Sequence, residues 1–186
     1  MRPTALAPSP VAAPKKGMGV GSIIALVAVV AVLLGVGILV VVARTLSKTY
    51  IREAKTAEAK NSLGQMSKDA ITAYEESVSA GGKRHLCASA TSPVPKDMSS
   101  VRGRKYQSSE ADWQEDRGSN AGFACLKFEM TSPQYFQYAY EATSTGFVGT
   151  GRGDLNGDGL ITAFEVRGEV VDDRLVVRPT ILETSR

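Results

Sequence analysis

Residues 44–82 read RTLSKTYIREAKTAEAKNSLGQMSKDAITAYEESVSAGG. The stretch has no proline and is rich in Ala, Glu and Lys, residues that lose little on entering a helix. Ala59, Leu63, Met66, Ala70, Tyr74 and Val78 recur at the helical period, so an amphipathic helix over 44–80 is predicted, stopped by Gly81 and Gly82. A helix with one apolar stripe needs a surface to cover it. The rest of the chain has to supply that surface.

Going backward from Arg44, Met18–Ala43 reads MGVGSIIALVAVVAVLLGVGILVVVA without a charge, with Lys15 and Lys16 before it. A helix needs about 20 apolar residues to cross a bilayer, so this is read as a transmembrane span. A buried core helix would need more protein around it than the remaining chain provides. A secretory signal peptide would have a shorter apolar core, of about 7–15 residues, and a better small-residue cleavage site than Val40–Ala43. No helix breaker separates the span from the amphipathic segment, so one long helix is expected. Residues 1–17, rich in Pro and Ala with no apolar periodicity, are expected to be a disordered tail or leader.

Going forward, residues 81–121 contain PVP, SSVRGRKY and SSEADW and read as an irregular connection. Four aromatic or β-branched runs follow at 122–130 (GFACLKFEM), 134–143 (QYFQYAYEAT), 146–153 (GFVGTGRG) and 160–171 (LITAFEVRGEVV), separated by turn-like segments. Phe136, Tyr138 and Tyr140 share one face of the second run. In the fourth, Leu160, Phe164, Val166 and Val170 oppose Glu165, Arg167 and Glu169, the alternation of a half-buried strand. The expected fold is therefore α+β, a long N-terminal helix packed on a small antiparallel sheet over 122–171, with 172–186 as a tail or edge strand.

The charge balance, 22 Lys plus Arg against 19 Asp plus Glu, gives a net +3 with no basic stripe interleaved with aromatics, which argues against nucleic acid as a partner. The one histidine, His85, has no paired nucleophile and orienting acid nearby in sequence, so a catalytic role is not expected. Tyr135, Tyr138 and Tyr140 are either a binding face or sheet core. Arg44, Lys48 and Arg52 lie at helical spacing past the span, facing lipid head groups or solvent. The two cysteines, Cys87 and Cys125, are too few for a metal site and suit a disulfide that pins the connection to the first strand; two separate buried thiols are the alternative. The sidedness signals conflict. Cations are denser after the span than before it, which points the C-terminal part to the cytoplasm, whereas a disulfide points it outward.

Residues 154–165, DLNGDGLITAFE, match the EF-hand calcium loop: Asp154, Asn156 and Asp158 fall at positions 1, 3 and 5, Gly159 at 6, the Leu160 carbonyl at 7, Thr162 at 9 and Glu165 at 12. An EF-hand also needs a helix on each side, and both flanks here read as strand. The preferred reading is a hairpin connection in which Asn-Gly and Asp-Gly supply positive φ. A weak calcium site using Asp154, Asn156 and Asp158 is the other.

Taken in order, the run from Tyr50 to Ser77, then LCASATSPVP, KYQSSEADW, FACLKFEM, PQYFQYAY and GRGDLNGDGLITAF resembles type IV pilins and pilin-like proteins, including those of delta-type proteobacteria, over roughly residues 45–170. The resemblance implies a long helix on an antiparallel sheet, a globular part outside the bacterial inner membrane, other pilin-like subunits as partners, and a non-enzymatic structural role. It favours the outward placement. Lys15-Lys16-Gly17 is similar to a leader end, with cleavage between Gly17 and Met18. Counting from Met18, Ser22 stands where the family carries a glutamate, and the kinking proline of many pilin spans is missing. The expected function is a membrane-anchored pilin-like protein, a minor or accessory part of a pilus or related secretion filament. The alternative is a membrane-tethered extracytoplasmic calcium-dependent binding module.

Overall fold

The computed structural model describes residues 19–78, 82–178 and 182–185. The chain divides into two units, one through Lys48 and one from Thr49. The tail or leader at 1–17, the Gly17–Met18 step and Gly81 lie outside the described residues.

Helix α1 runs from Val20 to Glu76 without a break. In the first unit, the apolar side chains it carries are exposed, Leu33 and Leu34 at 65% and 64% among them. Ile23–Arg44 is long and apolar enough to cross a membrane, the one such segment among the described residues. A helix suits that role because every mid-segment N–H and C=O is paired within it.

In the second unit the stripe is buried as the spacing predicts: Ala59, Leu63 and Met66 are fully covered, Ala70 and Tyr74 nearly so. Thr56 and Ser67 share this face, and each turns its hydroxyl onto its own helix, to Glu53 O (2.9 Å) and Leu63 O (2.8 Å). The helix ends earlier than residue 80. The Ser77 hydroxyl donates to His85 O (2.6 Å) and accepts from His85 N (3.0 Å), diverting the chain. Val78 leaves the stripe, 63% exposed, and bridges to Arg84.

The surface under the helix is an antiparallel sheet of β1 (Gln137–Ala142), β2 (Gly146–Gly153), β3 (Thr162–Val171), β4 (Arg174–Val177) and β5 (Leu182–Ser185), in the order β1-β2-β3-β4. β4 pairs with Gly168–Val171 and β5 with Thr162–Glu165, so the two share the edge of β3 that β2 leaves open. The fold is α+β. The sheet starts later than residue 122 and continues past 171, and the C-terminal segment supplies edge strands. The β3–β4 turn is Asp172-Asp173, both in the left-handed region (φ 50° and 59°), as a two-residue hairpin loop demands. Asp173 is then fixed by Arg84 (2.7 Å) and Tyr74 Oη (3.3 Å).

Strand β2 lets the helix come close. Phe147, Gly149, Gly151 and Gly153 alternate onto the covered face. A Cβ on Gly149 would sit 2.9 Å from Met66 Sδ and 3.0 Å from Val166 Cγ1, and one on Gly151 would sit 3.1 Å from the Tyr138 ring. The Gly-rich run read as a strand is thus a floor for Ala59, Leu63 and Met66.

The run at 122–130 is not a strand. It forms the short helix α3 (Gly122–Leu126), closed by Lys127 in the left-handed region (φ 58°) and by Phe128 N–H donating to Phe123 O at 3.0 Å. Gly122 is required: at φ 52°, a Cβ there would lie 2.5 Å from Ala90 Cα. Phe123 and Phe128 pack edge-on against Trp113, with centroids 5.0 and 5.4 Å away. Burying aromatic area on Trp113 outweighs the strand propensity of the run.

The connection at 81–121 is irregular but packed. It contains the 3-10 turns Met98–Val101 and Arg117–Ser119 and the one-turn helix α2 (Glu110–Trp113). Its first part runs beside β1 and covers that strand's open edge, with Ala90 N–H on Tyr140 O (3.0 Å) and Val94 paired with Tyr138. The fully buried Gln134 ties it down: Nε2 donates to Val94 O (3.0 Å) and Phe136 O (2.8 Å), and Oε1 accepts from Ser108 Oγ (3.2 Å), itself the acceptor of Trp113 Nε1 (2.9 Å).

Candidate functional site: the Asp154 loop and the cysteine pair

The calcium-like sequence occupies the connection between β2, ending at Gly153, and β3, starting at Thr162. Both flanks are strand, where an EF-hand has helices. The loop wraps around one carboxylate. Asp154 is 2% exposed; Oδ1 accepts the N–H groups of Gly157 (2.7 Å) and Asp158 (3.2 Å), and Oδ2 accepts that of Gly159 (2.9 Å). Gly157 and Gly159 adopt φ of 75° and 89°, which aims these N–H groups inward. Arg102 Nε lies 3.5 Å from Oδ2, and Gly103 N–H donates to Asp154 O at 2.7 Å, so the preceding connection closes the turn from the other side. Burial pushes the Asp154 carboxyl up. The N–H donors of Gly159, Gly157 and Asp158 and the Arg102 charge together outweigh that and hold it below the ordinary carboxylate range.

Asn156 and Asp158 are exposed. Asp158 Oδ1 accepts Leu160 N–H (3.0 Å). Leu160 lies outside β3 and is 65% exposed, so it does not share the buried face of Phe164 and Val166 as its spacing suggests. Glu165 is opposite Thr150 within the sheet and pairs with Arg167, so it does not turn back to the loop. Among the described residues, no three His, Cys, Asp or Glu side chains gather as metal ligands. The arrangement presents inward N–H dipoles and a guanidinium to Asp154, a setting that satisfies an anion and opposes a cation.

A carboxyl with a depressed folded pKa contributes stability above its unfolded value of about 3.9 and loses it as pH falls through the lower folded value. Asp154→Asn points an amide N–H₂ at N–H donors and should cost about 2 kcal/mol at neutral pH. It should also flatten the fall of stability below about pH 4. Urea denaturation across pH reads both effects; an unchanged acid limb in the variant would remove Asp154 as its source. In the same assay, millimolar calcium is expected to leave the wild-type midpoint unmoved.

The Cys87 and Cys125 sulfurs lie 2.00 Å apart, at bonding distance. Cys125 is in α3 and not in a strand, so the link joins the connection to the aromatic cluster around Trp113. Cys87 O accepts Tyr140 Oη (3.3 Å), whose burial pushes the phenol up to about 12.

Of the three tyrosines weighed as a binding face, Tyr138 and Tyr140 are core. Tyr135 is half-buried, with the Lys55 and Lys105 ammonium groups 4.7 and 4.9 Å from its ring centre. His85 is exposed and engages Ser77 through its backbone. The side chains of Lys48 and Arg52 lie outside the described residues. Sequence reasoning passes over Glu58, whose Oε1 accepts Tyr135 N–H (2.7 Å) and Tyr138 Oη (3.5 Å); burial raises its carboxyl in spite of these donors. No local pattern marks it, because its partners are distant in sequence. No family model, curated protein or solved structure matches the chain.

Proposed function

We propose that this chain is a non-enzymatic, membrane-anchored structural protein of pilin-like type, a minor or accessory component of a type IV pilus or related secretion filament. Its globular unit lies on the outer side of a bacterial inner membrane. The observation that carries the reading is helix α1: an uncharged segment long enough to span a bilayer continues, without a break, into a stripe seated on a glycine-floored antiparallel sheet. A disulfide between Cys87 and Cys125 supports the outward placement, since disulfides persist in oxidising compartments. The sequence departs from pilins at Ser22. Packing a free amino terminus into an apolar filament core leaves that ammonium without a counter-charge, whereas burial of the span in lipid needs none.

The test is the composition of sheared filaments beside that of the membrane fraction. The protein is expected mainly in membranes and at most as a trace in filaments. If the chain is cut after Gly17, Ser22→Glu supplies the missing carboxylate and should increase filament incorporation several-fold; N-terminal sequencing of membrane-purified protein establishes the cut. The unmodified protein as the dominant filament subunit would overturn the argument from the missing carboxylate.

A further inference from the structure

We infer that Asp154 is a lock on backbone chemistry: its carboxylate holds the loop's two succinimide-forming steps, Asn156-Gly157 and Asp158-Gly159, in a geometry that cannot react. The inference stands on contacts in and around the loop and is independent of the membrane-anchored reading.

An asparagine or aspartate followed by glycine is a chemically weak step, because glycine has no Cβ to shield its nitrogen or to restrict the rotation that brings it onto the side-chain carbon. At Asn156, the Gly157 nitrogen gives up its proton and attacks Asn156 Cγ; the N–Cγ bond forms, the Cγ–Nδ2 bond breaks and ammonia leaves with the proton. Water then opens the five-membered imide at either carbonyl, which leaves aspartate or isoaspartate. At Asp158 the Gly159 nitrogen attacks in the same way, water leaves and water reopens the ring, so only the connectivity changes. Nowhere else in the chain does glycine follow asparagine or aspartate. Both side chains are exposed, so burial does not protect them.

The two attacking nitrogens donate to one carboxylate, Gly157 N–H to Asp154 Oδ1 (2.7 Å) and Gly159 N–H to Oδ2 (2.9 Å). Each has to give up a charge-assisted hydrogen bond before its peptide plane can turn, and the Asp154 charge opposes the amide anion that attacks. Asp154 is buried and is held from outside the loop, by Arg102 on its carboxylate and by Gly103 N–H on its carbonyl. Gly103 also backs the first reacting peptide. A Cβ there would lie 3.2 Å from both N and Cα of Gly157, which leaves that plane little room to rotate. The Asp158 carboxylate is occupied by Leu160 N–H (3.0 Å), one residue past the nitrogen that would attack it.

The experiment follows isoaspartate and the amide-to-acid mass gain at positions 156–159 in the full-length chain, held in detergent in mildly alkaline buffer, beside a linear peptide of residues 150–162. The wild-type chain is expected to react at least about tenfold more slowly than the peptide, the factor set by breaking one charge-assisted hydrogen bond. Asp154→Ala should raise the rate at Asn156 by about the same tenfold. Asp154→Asn keeps the side chain's shape and carries the comparison if the alanine variant loses the native emission of the buried Trp113. Gly149→Val is the control: it destabilises the same unit through contacts with Met66 and Val166, away from the loop, and its rate should stay at the wild-type value. A wild-type chain as fast as the peptide, a folded Asp154 variant no faster than wild type, or a Gly149→Val chain accelerated as much as the Asp154 variant overturns the inference.

Discussion

Cys87→Ala combined with Cys125→Ala is expected to destabilise the second unit by about 4 kcal/mol, the chain-entropy value for a sequence separation of 38. The bond joins two elements that sequence alone leaves unsupported. On one side, Cys87 leads into the segment that covers the open edge of β1 through Ala90 and Val94. On the other, Cys125 belongs to the one-turn helix α3, too short to persist without its contacts. Releasing the link frees a long loop in the unfolded chain and loosens the seating of Phe123 and Phe128 on Trp113. Thermal unfolding with and without reductant should show the loss in the wild type and none in the double variant. Alkylation of the native protein followed by mass measurement should find no free thiol. Two alkylatable thiols would refute the bond and restore the cytoplasmic placement that the positive-inside count favours.

Gly149→Val is expected to cost about 3 kcal/mol, the upper part of the range for overpacking a core. A bare Cβ already meets Met66 Sδ at 2.9 Å and Val166 Cγ1 at 3.0 Å, and Leu63 Cδ2 stands at 3.6 Å, so the two further methyls have nowhere to go unless the helix lifts. Met66 can swing aside, because its thioether is flexible. Val166, β-branched and held in β3, cannot. Val has the better strand propensity, so a model in which β2 is stabilised by local preference alone predicts a gain. Urea denaturation decides between them. A stabilised Gly149→Val protein would show that the helix does not rest on β2 at this depth.

The parts legible in sequence are those with a repeating period. The stripe from Ala59 to Tyr74 is buried as its spacing requires, and the alternation of Phe164 and Val166 against Glu165 and Arg167 places β3 correctly. Where an apolar run is short, period cannot separate a strand from a helical turn, and GFACLKFEM became α3 because its rings close around Trp113. Leu160 fits the strand's parity but lies two residues before it: the hydrogen bonds to Asp154 and Asp158 keep the loop coiled through Gly159 and Leu160 before pairing begins at Thr162. The β3–β4 hairpin was obscured because Asp172-Asp173 is a less usual pair for positive φ than Asn-Gly. The buried Gln134 network joins residues up to 40 positions apart, and no local signal foretells it.

In the Asp154 loop, sequence identifies the residues and structure assigns their roles. The Asp and Gly spacing that matches a calcium loop also lets one carboxylate collect the N–H groups of the residues three, four and five positions ahead. The two differ at Glu165, whose position in the ladder opposite Thr150 is fixed by the register of β2 with β3.

Protease treatment of intact spheroplasts tests the central claim most directly, because it asks whether one N-terminal span holds the globular unit on the outer face of the membrane. The account predicts that the full-length chain is cleaved without lysis and that a disulfide-linked fragment carrying Cys87 and Cys125 is released, while the apolar N-terminal segment stays with the membrane. Protection of the whole chain until the spheroplasts are broken open would contradict it.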